Sequence, residues 1–178
     1  MAHVSDVVAQ PAILSDAERE FLEKPFVGVV TTLQRDGSPQ STVVWVDVDD
    51  EGVSINTAYG RVKPRNLEHD PRLSLVVVDP DDAYRWFKVL GTGRLVDEGA
   101  DEQIDRLSKK YTGRDVYASR QPGEQRVTVR IDPVRTLSRG LDGYAARTES
   151  TGGSIVAAVN HVLPAPPEPK TSPDVAPK

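Results

Sequence analysis

Residues 26–57 read Phe26-Val-Gly-Val-Val-Thr-Thr-Leu33, Gln34-Arg-Asp36-Gly37-Ser-Pro-Gln40, Ser41-Thr-Val-Val-Trp-Val-Asp-Val48 and, past Asp49-Asp50-Glu51-Gly52, Val53-Ser-Ile-Asn-Thr57. Each apolar run is rich in β-branched residues, and each break carries an acidic residue followed by glycine, the chemistry of a tight turn. The pattern predicts strands over 26–33, 41–48 and 53–57, joined as an antiparallel meander. Downstream, 73–78, 84–96 and 125–138 repeat the strand pattern. The long run is interrupted by Gly91 and Gly93, where a bend or bulge is expected. In the last run Val127, Val129 and Ile131 alternate on one face.

Three short helices separate these strands. Ser15-Asp16-Ala17-Glu18 is a capping-box pattern, predicting a helix that ends at Pro25. A second helix spans about 63–69, closed by Asp70-Pro71. A third begins at Asp101, carries Ile104, Leu107 and Tyr111 at helical spacing, and stops near Thr112-Gly113. Six strands against three short helices predict a mainly β fold, a closed or nearly closed antiparallel barrel, because closure hides the edges of such a sheet.

With 178 residues, 38% of them hydrophobic, the chain has material for one ordinary domain. Residues 1–12 lack periodicity and are expected to form a flexible arm, 13–140 the barrel, and 141–178 an extended or disordered tail that is proline-rich from Pro164 onward. Deleting 150–178 is expected to leave folding intact. The absence of cysteine excludes disulfides, thiolate metal sites and a cysteine nucleophile. His3, His69 and His161 have no metal-ligand spacing, so no metal site is expected. No apolar stretch approaches the ~18 residues of a membrane span, and the first residues lack a secretory pattern, so a cytoplasmic protein is expected. A net charge of −5 argues against general affinity for nucleic acid.

That charge is unevenly placed. Residues 1–60 carry three basic and ten acidic side chains, whereas Arg61, Lys63 and Arg65 follow at alternate positions. A second basic region runs from Arg106 to Arg130. No dinucleotide fingerprint, nucleophile elbow or Walker loop is present; Gly91-Thr-Gly93 lacks the third glycine. The stretch Thr57-Ala-Tyr-Gly-Arg61-Val-Lys63-Pro-Arg65-Asn66-Leu-Glu-His-Asp70-Pro71 puts three cations between a strand end and a helix start. Free amides and the positive end of the helix dipole suit that place to a phosphate, with lysine as a point charge and arginine as a planar fork. The plain alternative is a capped loop with surface charges.

The same stretch resembles the cofactor loop of the FMN-binding split β-barrel superfamily, that of pyridoxamine 5′-phosphate oxidase. Other pieces are similar to its branch using the deazaflavin coenzyme F420: the Gly28 to Gln40 hairpin, Tyr84-x-Trp-Phe-x-Val-x-Gly-x-Gly-Arg-Leu-Val96, Leu107-x-x-Lys-Tyr-Thr-Gly113 and Arg126-Val-x-Val-x-Ile-x-Pro133. They cover about residues 12–140 in the family's order. The resemblance implies a six-stranded antiparallel split β-barrel and a homodimer with a cofactor in each groove between subunits.

Further implications concern the site. Lys63, then Arg61, would hold the cofactor phosphate, with Thr57, Arg65 and Asn66 in the same loop. Gln40, Ser41, Val43 and Val44 would line the flat ring, and Tyr84 and Trp86 would reach in from the second subunit. The C-terminal arginine and histidine motif of the pyridoxamine oxidases is missing, which favours the deazaflavin branch. The implied activity is hydride transfer from reduced F420 to a conjugated small-molecule acceptor. The implied alternatives are an FMN-binding oxidase or flavin reductase, and a binding protein for a flavin or tetrapyrrole without turnover. No catalytic side chain is assigned; Tyr59, Tyr84 or solvent could supply a proton.

Overall fold

The computed structural model describes residues 14–141. The expected arm over 1–12 and all but the first residue of the expected tail lie outside the described residues; Leu141 itself packs into the core. In chain order the elements are α1 (Asp16–Glu23), β1 (Gly28–Leu33), β2 (Pro39–Val44), β3 (Val46–Asp49), β4 (Gly52–Ala58), α2 (Val62–His69), β5 (Arg72–Val78), β6 (Trp86–Val96), α3 (Ala100–Thr112) and β7 (Arg126–Arg139). The strands form one antiparallel sheet in the order β2-β1-β5-β6-β7-β4-β3. The fold is a mainly β split barrel, as expected, with one strand more than the sequence implied.

The extra strand comes from dividing the run 41–48 at Trp45. β2 pairs with β1, and β3 pairs with β4, at opposite edges of the sheet. Only Trp45 separates Val44 from Val46, so the two edges must meet there and the sheet curls. The expected meander is therefore two hairpins sharing a corner rather than three adjacent strands. Where a ladder stops, backbone polar groups need other partners. Here α3 supplies them: the Val46 N–H donates to Tyr111 Oη at 2.9 Å, Lys110 Nζ donates to the Val46 and Leu22 carbonyls at 2.8 and 2.6 Å, and Tyr111 Oη donates to the Phe26 carbonyl at 2.8 Å. Burial pulls Lys110 down to about 8 and pushes Tyr111 up to about 12.

The alternating strands bury Val30, Ile55, Leu75, Val77, Phe87, Val89, Val127 and Val129 on one face. The register between β6 and β7 shifts at Leu90/Gly91, where a bulge was expected. A Cβ at Gly91 would stand 2.3 Å from the Asp132 carbonyl oxygen, so β7 crosses too close for any side chain there. The capping box of α1 forms, with Ser15 N–H donating to Glu18 Oε2 at 2.9 Å and Glu18 N–H donating to Ser15 Oγ at 3.2 Å. The buried Glu18 also accepts from Ser138 Oγ at 3.0 Å, so the cap fastens α1 to β7.

The helix α3 also docks through the fully buried Gln103. Gln103 Nε2 donates to Ser54 Oγ at 2.8 Å and Asp47 Oδ2 at 3.2 Å, and its Oε1 accepts from Thr128 Oγ1 at 2.7 Å and Asn56 Nδ2 at 3.0 Å. No helix among the described residues is long and apolar enough to cross a membrane.

Candidate functional site: a cationic groove beside the barrel corner

β4 ends on the buried Thr57 and Ala58, and the chain turns at Gly60 (φ +82°) into the start of α2. No side chain caps that helix start, and no acidic residue stands in its first turn. Its dipole is reinforced by cations instead of being neutralised. Lys63 Nζ donates to Thr42 Oγ1 at 3.0 Å. The ammonium is half-buried, and burial first, then neighbouring Arg61, pulls its pKa below the usual lysine range. No carboxylate pairs with it among the described residues. A half-buried cation without a counter-ion is an open seat for an anion.

Lys63 and Arg61 open onto a groove of about 390 Å³. Val43, Val44 and Trp45 from the barrel corner line it, with Ile104 and Leu107 from α3 and with Thr57, Tyr117 and Arg126. Trp45 stacks on Tyr111 with ring centroids 5.2 Å apart and meets Tyr117 edge-on at 5.9 Å. The Arg126 guanidinium lies 5.3 Å over the Tyr117 ring. Arg126 is only 4% exposed, and its Nε donates to Asn56 Oδ1 at 2.8 Å. Its Nη1 lies 3.2 Å from Glu124 Oε1 without hydrogen-bond geometry. Thr57 Oγ1 is also buried without a partner. These are the two buried side-chain polar atoms without a hydrogen-bond partner among the described residues, and both belong to groove residues. A smaller cavity of about 210 Å³, lined by Leu14, Arg19, Val89 and Ile131 among others, has none, so the groove is the chemically open site.

Of the residues singled out from sequence, Val43, Val44, Thr57, Arg61 and Lys63 come together in the groove. Asn66 does not line it: its Nδ2 donates to Thr32 Oγ1 at 2.9 Å, and Thr32 donates on to Gln40 Oε1 at 3.4 Å. Asn66 and Gln40 thus hold α2 against the β1–β2 hairpin. Arg65 is exposed and donates to the Arg61 carbonyl at 3.3 Å, and Ser41 shares a hydrogen bond with Thr31 at 2.8 Å on the outer face. Tyr84 is 69% exposed with Arg139 stacked 5.2 Å from its ring, and Trp86 begins β6; neither lines the groove. Tyr59 donates to Asp97 Oδ1 at 2.8 Å, a hydrogen bond that raises its pKa.

The sequence does not single out Trp45, Tyr117 or, beside the groove, Glu124, and it includes Arg126 only within the basic region from Arg106 to Arg130. Arg126 had a readable signal, an arginine opening a run of core valines; Tyr117 and Glu124 stand in an irregular loop with none.

A family model described as pyridoxamine 5′-phosphate oxidase matches residues 14–139. A solved structure titled "F420 Reductase" is similar at 26% identity and TM-score 0.60, over 70% of this chain and 98% of that one. A conserved hypothetical protein from Mycobacterium tuberculosis is similar at 29% identity and TM-score 0.57, over 71% of this chain and 85% of that one. A putative pyridoxamine 5′-phosphate oxidase from Listeria innocua shares the fold at 20% identity and TM-score 0.53, over 67% of this chain and 92% of that one. The match spans every strand and helix described above, and the chain belongs to the pyridoxamine 5′-phosphate oxidase family.

Proposed function

We propose that the chain is an oxidoreductase that binds the deazaflavin coenzyme F420 and passes a hydride to a conjugated small-molecule acceptor. The observation that carries this reading is Lys63, half-buried without a carboxylate partner at an uncapped helix start, beside an apolar groove. The residues fit such a group: cations for its phosphate, the unpartnered Thr57 hydroxyl for an oxygen, and Val43, Val44 and Trp45 as a wall for a flat ring. The bound coenzyme supplies the hydride. The chain's own residues bind, orient and exclude water: Lys63 and Arg61 fix one end, and the corner valines and Trp45 press on the ring. The F420 reductase relative and the further cation Arg65, placed outside the phosphate seat, favour F420 over FMN.

Titrating the purified protein with F420 and with FMN, then screening quinones, enones and tetrapyrroles as acceptors, tests the reading. F420 binding with turnover is expected. Tight FMN binding without F420 binding would move the chain to the flavin oxidases and reductases; binding without turnover would make it a ligand-binding protein.

We further propose that the groove is shared in a homodimer. Val43 (66% exposed), Val29 (43%) and Val76 stand in register across β2, β1 and β5, and Val78 (41%) extends the row beside Trp86. Exposed apolar rows of this kind mark contact surfaces, and Val43 belongs both to the row and to the groove. A second copy on this face would cover the open side of the ring and bring Tyr84 and Trp86 toward its neighbour's groove. Sedimentation at micromolar concentration should show a dimer with or without coenzyme. A monomer that binds the coenzyme tightly would rule the shared groove out.

A further inference from the structure

Glu124 stands where it bridges two arginines of different origin. Its Oε1 lies 2.5 Å from Arg61 Nη2, at the start of α2, and 3.2 Å from Arg126 Nη1, at the start of β7. The carboxylate is 8% exposed. Both arginines line the groove, and Glu124 does not. The contact with Arg126 lacks hydrogen-bond geometry, so that buried nitrogen keeps an unspent donor. Arg126 is otherwise held in place by its fork on Asn56 Oδ1 and by the Tyr117 ring, so its position does not depend on Glu124.

We propose that Arg126 is a third anion-binding cation of the groove, and that Glu124 is a placeholder carboxylate neutralising Arg61 and Arg126 until a phosphoryl or carboxylate ligand takes its place. Two guanidinium groups left facing each other in a half-buried groove repel, and a carboxylate between them removes that cost. An arriving anion offers the same oxygens with better geometry to Arg126. Glu124 is in competition with the ligand, and its loop is held to the arginines only while the seat is empty. Removing the Glu124 charge therefore tightens anion binding, the reverse of what a positioning residue would do.

The inference rests on the anion reading of the groove, and one set of titrations separates the two. Inorganic phosphate binding is followed by thermal shift and calorimetry on the full chain carrying Glu124→Gln, Arg126→Gln or Lys63→Ala. Glu124→Gln should bind phosphate about three- to tenfold more tightly, the scale of one partly exposed ion pair lost from the free state, and Arg126→Gln should bind it more weakly. The Glu124→Gln, Arg126→Gln double variant controls for misfolding: it should lose the gain while keeping a cooperative thermal transition. Unchanged or weaker binding in Glu124→Gln, with Lys63→Ala still impaired, overturns the placeholder role alone. Equal phosphate binding in wild type and Lys63→Ala overturns the anion reading and this inference with it.

Discussion

Lys63→Ala is expected to weaken coenzyme F420 binding by about 1.5–3 kcal/mol, roughly 10- to 150-fold in Kd. The ammonium is half-buried, its one hydrogen bond goes to a neutral hydroxyl, and its desolvation is uncompensated by a carboxylate among the described residues. A phosphate would supply the missing charge at a helix start that has no acidic residue of its own. The same cost makes Lys63 a burden to the free protein, so the alanine variant should melt no lower than wild type. Arg61→Ala should act in the same direction with a smaller effect, because its side chain is 47% exposed and already engaged with Glu124. Fluorescence titration with a melting curve on the same sample reads both quantities. Wild-type affinity in both variants would remove the phosphate assignment.

The largest effect on stability is expected from Gln103→Leu, which conserves volume but deletes the polar hub beneath α3. Ser54 Oγ and Thr128 Oγ1, both buried, would lose their partner. Each buried hydroxyl left alone costs about 1–2 kcal/mol, for about 2–4 kcal/mol in total. Chemical denaturation should show a lower midpoint with an unchanged slope. A loss below about 0.5 kcal/mol would mean that α3 docks through Ile104, Leu107 and the Lys110 and Tyr111 bonds without help from Gln103.

Of these two sites, Lys63 was legible from sequence and Gln103 was not. Lys63 lies in a 15-residue stretch that carries the strand end, the glycine turn, the cations and the helix stop in order. Gln103 is a polar residue next to Ile104 in an amphipathic helix, where nothing local separates a buried glutamine from a solvated one. Its partners come from 25 to 56 residues away.

By itself the sequence determined what short-range physics controls: the capping box at Ser15 and Glu18, the glycine stop of α3 at Gly113, the bulge at Gly91, and the alternation that marks the inner face of β7. It also determined that cations stand at the start of α2, because strand end, turn and helix start are contiguous there. Tertiary structure alone decided that Trp45 is a corner with its two flanking strands at opposite edges of the sheet, since periodicity names a residue's face but not its neighbour. It likewise decided that Glu124 meets Arg61 across 63 residues and that Arg126 meets Asn56 across 70. Such pairs form because closing the sheet brings segments distant in sequence together, and the burial gained by that closure belongs to the whole barrel rather than to any one segment.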